Sequence, residues 1–417
     1  MAERMMKGFP PQPEGQVTLA NWRISPFNRW AFHHVREIIP TADIPRDPAD
    51  VRELPEQPQD LSRLPLAVSG GDTIPLARFL DDSSTDGIVV LHKGRLVFER
   101  YGNGMTARDP HILMSVSKSM LGLVAGILVH RGMLDVDRPA TDYVPEVRDT
   151  AFAGATVRHL LDMRTGLVFD ENYLATSGPI INYRKATGWN PLAPGEKPGD
   201  LRTFFLELTE ADRPHGGRFH YISVNTDLLG WVVERAAGQR FADLMSEVIW
   251  QPMGAADSAY LSIDRFGASR CAGGMCTTTR DLARVGQLIL ENGARGTRQI
   301  IPEAWIADIF GNGDTDAWNE GPFLEYFPGA VMHYRSKWYV EHGPKPLLFG
   351  LGIHGQNLFI DRANDIVIAK FSSQAPPLDA GLIAGTGAMV AAIRKALERQ
   401  RRRRRSLLRA VLSRAGP

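Results

Sequence analysis

The sequence predicts a mixed α/β fold of the α+β kind: an antiparallel sheet flanked by helices, joined to a mostly helical region. Three observations predict it. Strand-like hairpins stand early and late in the chain, at Gly87–Tyr101 and Asn357–Phe371. Apolar and amphipathic helical stretches lie between them, at 115–132, 225–238 and 279–291. The balance of 43% hydrophobic to 23% charged residues over 417 residues is that of a soluble globular protein with a large core. A sheet drawn from both ends of the chain, with the helical part inserted, pairs the strands and buries the helices most simply.

In chain order, residues 1–65 are rich in Pro and polar residues, with Trp22, Phe27, Trp30 and Phe32 interspersed. They read as an N-terminal arm held to the body by those aromatics. Residues 66–395 read as the main domain, with its sheet from 66–108 and 255–395 and its helical and loop region at 109–254. Gly87–Tyr101 is two β-branched runs around His92-Lys93-Gly94, a hairpin signal. Ser115–Gly132 is apolar almost all round, so the helix is expected to be buried, with Gly132 as its stop. Thr156–Met163 reads as a short helix. Residues 164–205 carry many Gly, Pro, Asn and aromatic residues, and a loop that long is usually a lid or a binding surface. Asn225–Gly238 is an amphipathic helix with Asn225 as its cap and Gly238 as its stop. Thr279–Glu291 is another. The runs NLFID and DIVIAKF form the late hairpin. From Ala391 the chain reads as a basic helix, and 396–417 as a basic tail.

The net charge of +1 hides an asymmetry. Residues 394–417 hold ten basic side chains and one acid, leaving 38 basic against 46 acidic residues in the rest. A mildly acidic body is not built for nucleic acid. The Arg401–Arg405 run reads as a solvated tail, or as a weak contact with an anionic membrane. No apolar run reaches the roughly 18 residues of a bilayer span; the longest is Met120–Val129. The first residues, MAERMMKGFPPQPEG, lack the apolar core of a secretory signal. Two cysteines, Cys271 and Cys276, exclude a disulfide framework, and the expected address is cytoplasmic. They have no His pair suited to zinc.

The motif that carries chemistry is Ser115-Val116-Ser117-Lys118, an S-x-x-K opening a buried helix. Residues three apart share a helix face, so the Lys118 amine stands one turn above the Ser115 hydroxyl. The helix N-terminus favours a nearby oxyanion. A serine needs a base to become a nucleophile, and a desolvated lysine can serve. An ordinary lysine is on the order of 0.04% free base at pH 7, so its pKa must fall or a partner must help. The bland alternative is a capped buried helix. A second motif is Tyr221-Ile222-Ser223-Val224-Asn225. It reads either as a tyrosine anchoring a loop before helix caps, or as Tyr221 and Ser223 facing a cleft, with Tyr221 holding a lowered pKa beside Lys118 and acting as acid and base. A third is Gly350-Leu351-Gly352-Ile353-His354-Gly355. A strand and not a helix follows it, which excludes dinucleotide binding. The glycines suit a strand edge close to a ligand, whose N–H could complete an oxyanion hole with that of Ser115. His354 reads equally as structural or functional.

Together these motifs resemble the penicillin-recognising serine hydrolases (class C β-lactamases, DD-peptidases and related esterases), and more closely their 6-aminohexanoate-dimer hydrolase branch. Asn28–Phe32, Leu113–Ser119, Phe219–Asp227, GLGIHGQN from Gly350, Asp170–Tyr173, Gly188-Trp189 and Thr279–Arg284 carry the resemblance, which runs from about residue 15 to 395 and leaves the tail outside. It implies a β-lactamase/DD-peptidase-like fold with the site in the cleft between sheet and helical region. It implies that Ser115 is acylated, that Lys118 and Tyr221 share the acid–base work, and that the N–H groups of Ser115 and Ile353 form the oxyanion hole. Tyr173 and Trp189 are then on a loop closing over the substrate, and Gly352, His354 and Ser223 line the site. No metal or cofactor is implied. The expected activity is cleavage of small esters or linear amides by a monomer or homodimer. The rivals are a β-lactamase or penicillin-binding enzyme, and a non-catalytic scaffold tethered by its arginines. Tyr221-x-Ser223 and Gly350-Leu351-Gly352 depart from the Tyr-x-Asn and Lys-Thr-Gly of class C β-lactamases, which disfavours strong β-lactam turnover. Arg184 and Lys185, where a free amino group on the substrate would want an acid, disfavour a linear aminohexanoate dimer.

Overall fold

The computed structural model describes residues 5–67 and 71–414, with side chains described as far as Glu398. The arm is held by its aromatics. Trp22 and Phe32 are buried in a small core with Val35 and Ile39, while Phe27 and Trp30 are half-buried against it. The arm then supplies a strand, β1 (Thr41–Ile44), which its short sequence, lacking any alternation, does not announce.

β2 (Thr85–His92) and β3 (Arg95–Tyr101) form the early hairpin. It turns through Lys93 and Gly94, both at positive φ, as a two-residue turn between right-twisted strands requires. The short β4 (His111–Ile112) leads into α1 (Val116–His130). Every residue from Val116 to Leu128 is buried, as its all-round apolar surface demands. Gly132, at φ 69°, ends the helical path.

Next comes α2 (Val157–Leu161), capped by Thr156. Residues 164–205 are not one loop. They hold α3 (Pro179–Ala186), opened by Gly178 and Pro179, and α4 (Leu201–Phe205), whose first N–H groups Asp200 caps. Both helices are too short to show a period in a polar stretch. α5 (Ser223–Ala237) ends at Gly238 in the left-handed region. Asn225 is not its cap. Ile222 occupies the cap position, and Asn225 points into the core, where its Oδ1 accepts from Thr165 Oγ1 at 2.9 Å.

β5 (Ala259–Ser262), β6 (Met275–Thr277) and α6 (Thr279–Leu290) follow. Then come β7 (Met332–Arg335), β8 (Trp338–Glu341), β9 (Leu347–Gly352), β10 (Gln356–Asp361) and β11 (Ile366–Ser372). α7 runs from Ala380 to Arg414, so it starts well before Ala391. Its first turns are small-residue-rich, which hides them in the sequence but lets them pack closely. A Cβ on Gly385 would lie 2.6 Å from the Phe79 ring.

The main sheet has the order β7-β8-β9-β10-β11-β2-β3, antiparallel throughout. A second antiparallel sheet, β1-β5-β6-β4, lies beside the turn that precedes α1. Side chains alternate across the main sheet. Val89, Leu91, Leu358, Ile360 and Val367 face the core shared with α1 and α6. Val90, Phe349, Phe359 and Ile368 face Met389, Val390, Ile393 and Leu397 of α7.

The segment Ala380–Glu398 is, among the described residues, long and apolar enough to cross a membrane by length and composition alone, although small and polar residues interrupt its apolar run. Here Arg394 pairs with Asp361 at 2.6 Å and Lys345 with Glu398 at 2.6 Å, fastening it to the sheet. The Arg401–Arg405 run lies outside the described side chains.

Candidate active site

Ser115 sits at the N-cap of α1, just after Met114, which holds a positive φ of 44°. Such a backbone is costly for a side chain-bearing residue and is often found where a functional group is aimed. Lys118 follows one turn on. Its Nζ is 2.8 Å from Ser115 Oγ and 2.7 Å from the carbonyl oxygen of Ala272. The side chain is 1% exposed. Burial pulls the amine down to about 7, with Glu171 and Asp227 opposing and Arg270 assisting. A neutral amine that donates to the Ala272 carbonyl keeps its lone pair for the serine proton. The obstacle raised by the ordinary lysine pKa is thereby removed.

Tyr221 comes in from the extended segment before α5. Lys118 Nζ lies 4.9 Å from its ring centroid, and the phenol hydrogen-bonds with Ser115 and Tyr339. Its pKa is not lowered. Burial, then the charge of Glu171, pushes the phenol well up, so it stays a proton donor while the lysine is the group poised to accept. The ring is stacked on Phe323 at 5.0 Å, which fixes its aim.

The glycines of β9 have a use that the sequence did not suggest. A Cβ on Gly350 would lie 2.9 Å from Ser119 Oγ, and one on Gly352 would lie 2.7 Å from the carbonyl oxygen of Leu113. They let the strand press against the start of α1, and Gly352 also lines the large cavity beside Ser115. That approach brings Ile353 to the same cavity wall as Ser115. The backbone N–H groups of Ser115 and Ile353 donate to no other group among the described residues. His354 is turned away. It is 4% exposed, its Nδ1 is 2.7 Å from the carbonyl oxygen of Gln374, and it packs on Phe32 in the arm. It lines neither cavity at Ser115. Burial lowers it to about 4, the state of a neutral structural imidazole.

Ser223 and Tyr173 reach the cavity, but as partners of Glu171, whose role its place in the Asp170–Tyr173 motif does not announce. Glu171 accepts from the N–H and the hydroxyl of Ser223, and from the Tyr173 hydroxyl at 3.0 Å. A carboxylate thus sits over the first turn of α5, where the free N–H groups welcome it. It ties the 170s segment to the helix. Trp189 is 4% exposed, with Nε1 donating to Ser262 Oγ at 3.1 Å and its ring edge-on to Trp22 at 5.1 Å. It is a fixed wall held by the arm. Lys185 is paired with Glu196 at 2.7 Å, while Arg184 donates to the Tyr173 carbonyl at 3.1 Å.

Arg270 and Asp227 form a buried ion pair beside the site, joined by the Tyr183 hydroxyl. Asp227 also accepts from the Ala272 N–H at 2.7 Å, so it positions the carbonyl that holds Lys118. Nothing in the sequence flags Arg270 or Tyr339, because distant segments bring them in. Asp227→Ala leaves Arg270 buried and unpaired, and we expect a loss of about 3–5 kcal/mol, read as a lowered midpoint in urea.

A buried lysine at a serine, a donor tyrosine and two free N–H groups on one cavity wall define a serine hydrolase by fold and site. The Beta-lactamase family model matches residues 77–392. The chain is 34% identical over 372 residues to the 6-aminohexanoate-dimer hydrolase of Paenarthrobacter ureafaciens, spanning 88% of this chain and 91% of that protein. It is 33% identical over 164 residues to esterase EstB of Burkholderia gladioli, covering 36% of this chain and 38% of the esterase. The structure of a putative 6-aminohexanoate-dimer hydrolase from Bacillus anthracis superposes with a TM-score of 0.85 at 29% identity, covering 94% of this chain and 99% of the other. The chain belongs to the beta-lactamase family.

Proposed function

We propose that the protein hydrolyses small esters or linear amides through an acyl-enzyme on Ser115. The observation that carries this is the 2.8 Å approach of a buried amine to the serine hydroxyl, with burial lowering that amine to about 7. Lys118 takes the Oγ proton as Oγ bonds to the substrate carbonyl carbon. The oxyanion is held by the N–H groups of Ser115 and Ile353. The bond to the departing alcohol or amine breaks, and that group leaves with a proton passed through Tyr221. Water then attacks the acyl-enzyme under the same base, releasing a carboxylic acid and returning Ser115. Net, one substrate and one water give an acid and an alcohol or amine.

The charge around the site disfavours a cationic acyl group. Arg23, Arg184 and Arg270 line the recess by Ser223 with Glu171, and Asp227 is already committed to Arg270. Positive charge is in excess there, which disfavours a free ammonium on the substrate and keeps the 6-aminohexanoate dimer a poor candidate. A reducing, cytoplasmic setting belongs to the same reading, since Cys271 and Cys276 are buried, unpaired thiols.

Rapid mixing with p-nitrophenyl acetate tests the covalent step. A burst of nitrophenol near one equivalent per chain is expected; strictly linear release from the first turnover, under conditions where deacylation is slow, counts against it. Tyr221→Phe should lower kcat on an anilide by on the order of 10²–10⁴-fold. It should cost far less on the nitrophenyl ester, whose leaving group departs without a proton. Equal losses on both would remove Tyr221 from the proton path.

A further inference from the structure

Two recesses of unequal size meet at Ser115. The larger has a volume of about 390 Å³, inside the roughly 300–1,000 Å³ range of small-molecule pockets. It runs from Ser115 and Tyr221 past Phe323, Tyr339 and Phe349 to Leu382 and Val390 on α7. Its walls are mainly aromatic and aliphatic. Among the described residues its charged lining is Glu341, Asp379 and, at the far end, Arg394, which is engaged by Asp361 at 2.6 Å and by the Lys345 carbonyl at 2.8 Å. Asn357, 6% exposed, also faces this recess, and its Oδ1 has no hydrogen-bond partner. A buried acceptor left open in an apolar wall calls for an explanation, and a ligand O–H or N–H supplies one. The smaller recess, bounded by Glu171, Arg184, Trp189 and Arg270, has a volume of about 30 Å³. A water needs roughly 10–15 Å³ of such space, so little more than a methyl-sized group fits without rearrangement.

The proton donor decides which half of a substrate goes where. The group that protonates the leaving atom stands on the leaving side of the scissile bond. Tyr221 lines the large recess and does not line the small one. We propose that the departing half of the substrate is the bulky apolar one, an alkyl or aryl-alkyl alcohol or amine lying in the trough under α7, and that the acyl half is short. This rests on the acyl-enzyme reading given above. The chemistry is the same hydrolysis: Oγ acquires the short acyl group, the C–O or C–N bond to the apolar partner breaks, and water returns a small carboxylic acid. The trough, walled by Phe323, Phe349 and the α7 side chains, sorts alcohols and amines by apolar bulk, while Trp189 and Arg184 limit the acyl group.

Octyl acetate and methyl nonanoate are isomers of equal hydrophobicity that differ only in which half carries the chain. The native protein is expected to hydrolyse octyl acetate with a kcat/KM at least about tenfold higher. Equal rates, or preference for methyl nonanoate, overturn the assignment. Leu382→Trp, which fills the trough from α7, should cut the octyl acetate to ethyl acetate ratio several-fold. An unmoved ratio in a folded variant overturns it as well. If neither isomer is cleaved while a fluorophosphonate still labels Ser115, the trough assignment fails and the nucleophile stands. If labelling fails too, the acyl-enzyme reading beneath it is wrong.

Discussion

Ser115→Ala should lower kcat/KM on p-nitrophenyl acetate by on the order of 10⁴–10⁶-fold, the scale seen when a nucleophile is removed from a unit that acts together. The fold should survive. The Ser115 side chain makes no cap hydrogen bond to α1, and of the two buried groups that lose it as a partner, the lysine amine keeps the Ala272 carbonyl and the Tyr221 phenol keeps Tyr339. Residual rate would come from the oxyanion donors and from binding alone. Thermal unfolding of the variant, measured beside the assay, separates lost chemistry from lost structure. A drop of less than about tenfold in a folded variant would mean that another group attacks the substrate.

Lys118 is expected to matter almost as much. Lys118→Met keeps the stem packed in the core but removes the lone pair, and kcat/KM should fall by at least about 10³-fold. The pH profile gives the sign. Below pH 7 the native amine is increasingly protonated and cannot accept from Ser115, so kcat/KM should fall as pH drops through about 7 and level off above it. Burial sets that midpoint, with the positive charge of Arg270 assisting and Glu171 and Asp227 opposing. Asp227→Asn should therefore move the midpoint downward, because it removes a carboxylate that holds the charged amine. A midpoint well above 9 in the native protein would show that the lysine is not the titrating base.

What the sequence made legible follows from distance along the chain. Ser115 and Lys118 are three residues apart on a helix whose burial its composition announces, so their contact could be argued from spacing. The two hairpins were legible because alternation and a turn are local. Tyr221 could be named but not its state. The raised phenol depends on Glu171, fifty residues upstream, and on burial among Phe323, Tyr334 and Tyr339. The glycine-rich β9 was legible only in part, for a related reason. A glycine records that something approaches closely, not what, and here the neighbour is the start of α1. Asn225 fits a cap by residue type, because polar residues open helices, yet Glu171 supplies that function from another segment. The early part of α7 escaped because its glycines, of which Gly385 is needed against Phe79, erase the helical signal.

The most direct measurement is the site and pH dependence of covalent labelling. The protein is treated with a fluorophosphonate across pH 5 to 9, digested, and mapped by mass spectrometry. One adduct per chain is expected on the peptide holding Ser115, with a labelling rate that climbs through about pH 7 in the native protein and is lost in Lys118→Met. An adduct on a different residue, or a rate on Ser115 indifferent to both pH and Lys118, would contradict the pairing of that hydroxyl with that amine.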